Sequence, residues 1–435
     1  MPEASHERPA PRPAARLALA VVPAVTAAVA VGSALRTNAW TAWGVWPMES
    51  KIDSGTSFAD LANITATAQC ISRGWDYTTC DPYGRLFQPY VVLPARVLSA
   101  LGVDMSATPA LGLALACCYV VGVAVLGIAV ARHWRGSLAG LGAAAVVLAL
   151  ASIAPPAMLA VERGQVELLT FALVCIGLVL LPARRGWLRV VGAVAAVAAV
   201  VTKFVAVGAL APVVQRRRPS WPAAAALGAA AVFCVVLLPD VIQASRAART
   251  SEPGTTRPQL GAVTLPATWL SADPIGNIPD PSVTEHWGVL LTISALATVL
   301  AVVVAAVLLA PSRTTGLDGQ PVARWLVVGG TGILLPVYVL GLAHDYRLVF
   351  VLPTLAGLCL WAGATRGREQ AVAIALAVCA LVAIATGAAM IASPGGFLLP
   401  RAGLLAGDIA LFVTLVAGGG LWLRGLLTRE VRHVA

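Results

Sequence analysis

Apolar runs of about 20 residues recur along this chain, long enough for a helix to cross a bilayer. They fall near 17–35, 108–131, 137–158, 166–183, 220–240, 287–310, 325–343, 348–364, 370–392 and 402–424. The runs are continuous and do not alternate as the strands of an outer-membrane barrel do. In hydrocarbon each backbone polar group needs a partner within its own segment, so runs this apolar predict helices. Their residues are mainly Ala, Val, Leu and Gly, which let helices approach closely. The expected fold class is therefore all-α and polytopic. Run 17–35 is long for a signal peptide and is followed by many spans, which favours an uncleaved first helix.

One long polar segment interrupts the pattern directly after the first run, from Trp40 to Pro94. It carries Asp53, Asp60, Asp76, Asp81 and Arg85, a cysteine pair, and Trp40, Trp43 and Trp46. The three Trp residues fit an interfacial aromatic belt.

Composition agrees with a membrane protein: 59% of residues are hydrophobic and only 11% charged, against about one quarter charged in soluble domains. The net charge of +10 invites a nucleic-acid reading. That reading is rejected, because the Arg residues sit in short tracts beside apolar runs, the positive-inside pattern. Arg8, Arg12 and Arg16 place the N-terminus inside and Trp40–Pro94 outside. The Glu162–Arg163 loop then falls outside, as does His344–Arg347, while Arg132, Arg135, Arg184, Arg185 and Arg189 fall inside. Residues 190–215 break the alternation, since Arg189 and Arg216–Arg218 flank both ends. Two short helices meeting near Lys203 and returning to one side restore it. The plainer reading is one ordinary span with a misplaced Arg cluster. By this scheme residues 1–16 are a disordered cytoplasmic tail, 17–424 a transmembrane domain with a first extracytoplasmic loop over 36–107, and 425–435 a second cytoplasmic tail.

Six of the eight Cys lie within apolar runs as small core residues. Cys70 and Cys80 lie close together in the loop placed outside, where a structural disulfide is expected. No Cys/His spacing or acidic pair points to a metal, and no metal or cofactor is expected.

Polar groups within or beside spans are costly and point to function. Those assigned to the outer face are Asp53, Asp60, Asp76, Asp81 and Arg85, then Glu162, Arg163, Gln165 and Glu167 in VERGQVELL, then His344, Asp345, Tyr346 and Arg347 in AHDYR, with Asp240 and Asp408 near the outer ends of their helices. Lys203 approaches from within the membrane. Each also has a bland reading. Asp60, three residues after Ser57 in a weak capping pattern, is also an ordinary carboxylate in a first helical turn. Tyr83 in DPYGR fits a structured turn, and AHDYR a polar helix end.

Three stretches in this order resemble the bacterial glycosyltransferase-C superfamily: Asp60…Gly74…Asp81-Pro82-Tyr83-Gly84…Tyr90…Pro94, RGQVELLTFALVCIGLVLL with the following Gly192…Lys203, and HDYRLVFVLP. Within it the chain most resembles the polyprenol-phosphate-mannose-dependent mannosyltransferases of actinobacteria, glycosyltransferase family 87. Two positions depart from that pattern: Glu167 stands in the region of an expected Asn, and Phe204 follows Lys203 where a Pro is expected.

The resemblance implies a glycosyltransferase-C-like bundle in the cell membrane with its active site on the extracytoplasmic face. It implies transfer of a hexose, mannose in that family, from a polyprenyl-phosphate donor to a glycolipid or glycan acceptor of the cell envelope, with inversion. Asp60 would be the general base, with Asp53 as the alternative and His344 as its orienting partner. Lys203, Arg163, Arg347 and Arg85 would hold the donor phosphate. Glu162, Gln165, Tyr346, Asp81 and Tyr83 would position substrate. The competing function is a transporter or flippase of lipid-linked sugars. Such folds often carry internal repeats, and none is evident here.

Overall fold

A computed structural model describes residues 13–40, 58–75, 92–216, 218–251, 259–260, 281–309, 315–339, 343–386 and 398–431. Asp53, Asp76, Cys80, Asp81, Tyr83 and Arg85 lie outside the described residues. For His344 and Tyr346 only the backbone is described.

The chain is a multi-pass, all-helical membrane protein. Among the described residues, seven helices are long and apolar enough to cross a membrane, or eight when one bent pair is taken as a span. Helix α1 covers Pro13–Thr37, α2 Ala59–Ser72, α3 Val92–Ala100, α4 Thr108–His133, α5 Leu138–Ser152, α6 Pro155–Arg163, α7 Glu167–Leu180 and α8 Gly186–Thr202. After a short arm over Phe204–Val214 come α9 Trp221–Ser251, α10 Pro281–Leu308, α11 Pro321–Val339, α12 Val351–Ala364, α13 Gly367–Thr386 and α14 Leu398–Val431. Helices α11 and α12 run through the middle of the bundle, 72% and 78% buried in their apolar windows. Helix α10 lies at the edge and is 17% buried, with α14 as its main neighbour.

Two departures from the expected runs stand out. The run expected as one span over 137–158 is two helices, α5 and α6, bent by 45°. Pro155 and Pro156 cause the break. Proline lacks an N–H and clashes with the carbonyl four residues back, but fits the first turn of a new helix. Ala154 before them is extended, as a residue preceding proline prefers. Tyr119 of α4 donates a 2.5 Å hydrogen bond to the Ser152 carbonyl freed at the end of α5. As a result Glu162 and Arg163 sit on the last turn of α6 and not in a loop. Helix α9 also runs past the expected end at 240 to Ser251, because Gln243–Arg249 is made of good helix formers without Gly or Pro.

The segment after α8 is the broken helix that the charge pattern called for. Lys203 is extended (φ −152°, ψ 113°), and a 3-10 turn over Phe204–Leu210 follows. The arm folds back along α8 and packs on α11. Its docking depends on Gly208 and Gly332, whose backbones touch so closely that a Cβ on either would overlap the other's main chain. The two ends of the hairpin share one end of the bundle: the guanidinium of Arg216 feels the charges of Arg189 and Arg324.

Helices α2 and α3 form a cap with a small core of their own. Phe58, Leu61, Ile64, Ala68 and Ala95 pack there against Leu35, Leu111 and Val166 at the ends of the bundle helices. A Thr65–Thr108 hydroxyl contact of 2.7 Å pins α2 to the start of α4.

Candidate functional site

Four chain segments end together beneath this cap: the start of α2, the α6–α7 junction, the break after α8, and the 3-10 turn Asp345–Phe350 before α12. A helix hairpin brings α6 and α7 ends together automatically. The break at Lys203 puts the end of α8 beside the start of its antiparallel neighbour α7. Thr170 and Thr202 bridge the two helices one turn inward, hydroxyl to hydroxyl at 2.9 Å.

Asp60 sits in the first turn of α2, where the helix dipole favours a carboxylate. The expected cap at Ser57 is not what opens the helix. The N-cap position is Phe58, in the left-handed region (φ 81°, ψ 36°) and without a side-chain cap. A non-glycine residue there is strained by roughly 1–2 kcal/mol, and such strain persists only where neighbours over-determine it. Here they do. The Phe58 amide donates to the Glu162 carbonyl, and the ring is buried over Gly112 and Gly164. Gly164 is itself left-handed (φ 63°) and ends α6.

This clamp brings Asp60 to the α6–α7 turn. Gln165 Nε2 donates to Asp60 Oδ2, and Arg163 Nη1 lies 3.7 Å from the same oxygen. The Asp60 side chain keeps 30% of its surface exposed, so the carboxylate is held yet reachable. Its charge also acts on Lys203 and Glu162. Glu162 is buried at 3% exposure, and its Oε2 has no hydrogen-bond partner among the described residues.

The residue at the centre of the cluster is Glu167, which the sequence marks as one of the outer-face polar groups and as a departure from the family pattern, without a role. It is 1% exposed. Its Oε1 accepts from Lys203 Nζ and lies 3.8 Å from Arg347 Nε. Lys203 and Arg347 are themselves largely buried, 19% and 17% exposed. Two cations this close repel each other, so the carboxylate between them is what allows both to remain in a low-dielectric setting.

Of the residues singled out in the sequence, the structure therefore groups Asp60, Glu162, Arg163, Gln165, Lys203 and Arg347. The backbone of His344 joins the same end. It pairs with Gln259 in a two-residue antiparallel ladder, which ties the segment after α9 to the AHDYR turn. Cys70, at the far end of α2, is disulfide-bonded; Cys80, its expected partner, lies outside the described residues. Among the described residues no three His, Cys, Asp or Glu side chains gather as metal ligands.

No family model and no curated protein matches this chain. A solved structure with similarity to it is ArnT from Cupriavidus metallidurans bound to undecaprenyl phosphate. The two are 14% identical over 92% of this chain and 78% of the other, with a TM-score of 0.35, too low to carry an argument about fold or function.

Proposed function

We propose that this protein is an integral membrane glycosyltransferase of the glycosyltransferase-C type that takes a hexose from a polyprenyl-phosphate donor. The observation carrying the proposal is the juxtaposition at one bundle end of a held, partly exposed carboxylate and a group of deep-set cations. The family 87 resemblance makes the hexose mannose, the acceptor a cell-envelope glycolipid or glycan, and the face extracytoplasmic. A transferase of this kind needs two things: a base for the acceptor hydroxyl, and positive charge for the departing phosphate.

In this reading Asp60 accepts the proton of the acceptor hydroxyl as its oxygen attacks the anomeric carbon. The bond from that carbon to the donor phosphate breaks with inversion, and the polyprenyl phosphate leaves with the electron pair. Arg163, Lys203 and Arg347 stabilise it, so no acid is required. Gln165 fixes the orientation of Asp60, and Glu162 positions sugar hydroxyls with its open oxygen. On the family resemblance, His344 is the orienting partner of Asp60 and Tyr346 positions substrate. On the same resemblance, Arg85 of the first loop adds to the cations that hold the donor phosphate, and Asp81 and Tyr83 position substrate. Glu167 acts as a placeholder that keeps Lys203 and Arg347 charged and in position until the phosphate arrives.

The test is sugar transfer in membranes supplied with a labelled polyprenyl-phosphate mannose. Asp60→Asn is expected to lower transfer by about 10²–10⁴-fold at equal expression. Near-normal transfer would remove Asp60 as the base. Movement of intact lipid-linked sugar across vesicles, with no transfer to any acceptor, would favour the transporter reading instead.

A further inference from the structure

The opposite end of the bundle carries a second cluster of charge that the proposed reaction does not use. It lies about 21 Å from Lys203 along α8, counting the 1.5 Å rise per residue back to Arg189. A cavity of about 160 Å³ opens there, lined by Pro212, Gln215, Arg216, Asp318, Arg324 and Trp325. The cluster is built rather than scattered. Gln215 donates to the carbonyls of Leu421 and Trp422 on α14 (3.2 and 2.7 Å) and accepts from Arg324 Nε at 3.3 Å. Arg216 lies over the buried Trp325 ring at 5.3 Å. Arg189 is held by the carbonyls of Ala183 and Arg184 at 2.6 and 2.8 Å.

The charges in this cluster do not balance among the described residues. Asp318 is engaged by Arg324 at 3.0 Å and Arg424 at 3.5 Å. Burial, and after it the like charges of Arg189 and Arg324, hold the Arg216 guanidinium below its ordinary pKa. Positive charges rigidly gathered at a half-buried cavity are unfavourable unless an anion joins them. An adjoining cavity of about 40 Å³, lined by His133, Arg135 and Gln320, extends the cluster. Gln320 is 4% exposed, and neither of its amide atoms has a hydrogen-bond partner among the described residues.

We propose that this cavity is a second binding site, for a phosphate group, with Arg216 and Arg324 of its lining as the ligands and Arg189 adding positive charge beside them. Guanidinium forks match phosphate oxygens, and the volume suits a headgroup rather than a whole lipid. The site lies at a membrane-end position, where basic pockets between helices take anionic headgroups. An anionic phospholipid and free phosphate share this chemistry.

The experiment uses the full-length protein. Lipid retention is read by native mass spectrometry from nanodiscs of phosphatidylcholine with or without phosphatidylglycerol. Unfolding temperature is read in neutral detergent with and without inorganic phosphate. Variants are Arg216→Gln, Arg216→Gln/Arg324→Gln, and Arg366→Gln/Arg368→Gln, which removes two exposed charges after α12 outside the cavity. Phosphatidylglycerol retention should fall about 5-fold for each cavity Arg removed and hold in the Arg366/Arg368 control. That result without a response to phosphate assigns the site to a lipid headgroup. A phosphate-dependent rise in unfolding temperature, lost in Arg216→Gln, assigns it to free phosphate. Equal retention in every variant with no phosphate response overturns the proposal, as does equal loss in the control.

Discussion

Lys203 and Glu167 meet as a buried ion pair across the break that ends α8. Their relationship explains why the break is where it is. A lysine inside a continuous helix would face its neighbours at membrane depth. Extended backbone at Lys203 instead lets the ammonium reach the first residue of α7. Buried pairs contribute little net stability, but removing one partner leaves an uncompensated charge and costs about 3–5 kcal/mol. Glu167→Ala is therefore expected to lower the unfolding temperature sharply. The double variant Glu167→Leu/Lys203→Met should recover part of the loss, since Arg347 still loses the carboxylate at 3.8 Å, while abolishing transfer. A thermal-unfolding series on the two single variants and the double variant checks this. Additive losses would show that the two residues are not coupled.

Gly164 sets the distance between the cap and the bundle. Its φ of 63° disfavours any side chain, and a Cβ there would lie 2.9 Å from both Leu61 Cβ and Phe58 Cβ. Neither neighbour is the flexible end of a side chain, so α2 itself must shift. Gly164→Ala is expected to cost more than the roughly 1 kcal/mol of the backbone term and to displace Asp60 from Gln165. Gly142, whose added Cβ meets nothing within 4 Å, is the matched control on the preceding helix. Gly142→Ala should leave both unfolding temperature and transfer near the parent values.

The helical architecture was legible because bilayer-length apolar runs admit few alternatives, and the hairpin at Lys203 was legible because Arg tracts at both of its ends demanded it. The kink between α5 and α6 was written in Pro155-Pro156, yet the apolar run carried straight through them. Glu167 was harder. A carboxylate opening a helix is ordinary, and its partners Lys203 and Arg347 lie far along the chain, so no local spacing pairs the three. Phe58 left no signal at all: its left-handed backbone follows from contacts with Gly112 and Gly164 that only the folded chain brings together. The Arg189–Arg216 cluster was read solely as a marker of topology, because a cavity between helices has no one-dimensional signature.

Gln165 is expected to act on Asp60 without touching the reacting atoms. Removing its amide takes away a hydrogen bond that orients the carboxylate and leaves Arg163 at 3.7 Å as a looser tether. Gln165→Ala should change stability by only about 0.5–1.5 kcal/mol. Transfer at saturating donor should fall by roughly 10–100-fold, a smaller loss than for Asp60→Asn because the base remains. Initial rates over a donor series separate this from a binding defect. A raised KM with an unchanged kcat would place Gln165 on the donor instead.

The return of the Phe204–Val214 arm to the end from which α8 sets out makes a prediction that is independent of catalysis. Trp187, near the start of α8, and Arg218, just past the arm, are both exposed. In a protein whose native reactive thiols are replaced, Trp187→Cys and Arg218→Cys should both be labelled by a membrane-impermeant maleimide from the same side. The positive-inside rule makes that side the cytoplasm. A cysteine at Phe204, beside the break and 42% exposed, should resist labelling from that side. Labelling of Trp187→Cys and Arg218→Cys from opposite sides would mean that Phe204–Val214 completes a crossing. The action of the Arg189 charge on Arg216 argues against it, since one crossing would separate those two charges by the thickness of the hydrocarbon core.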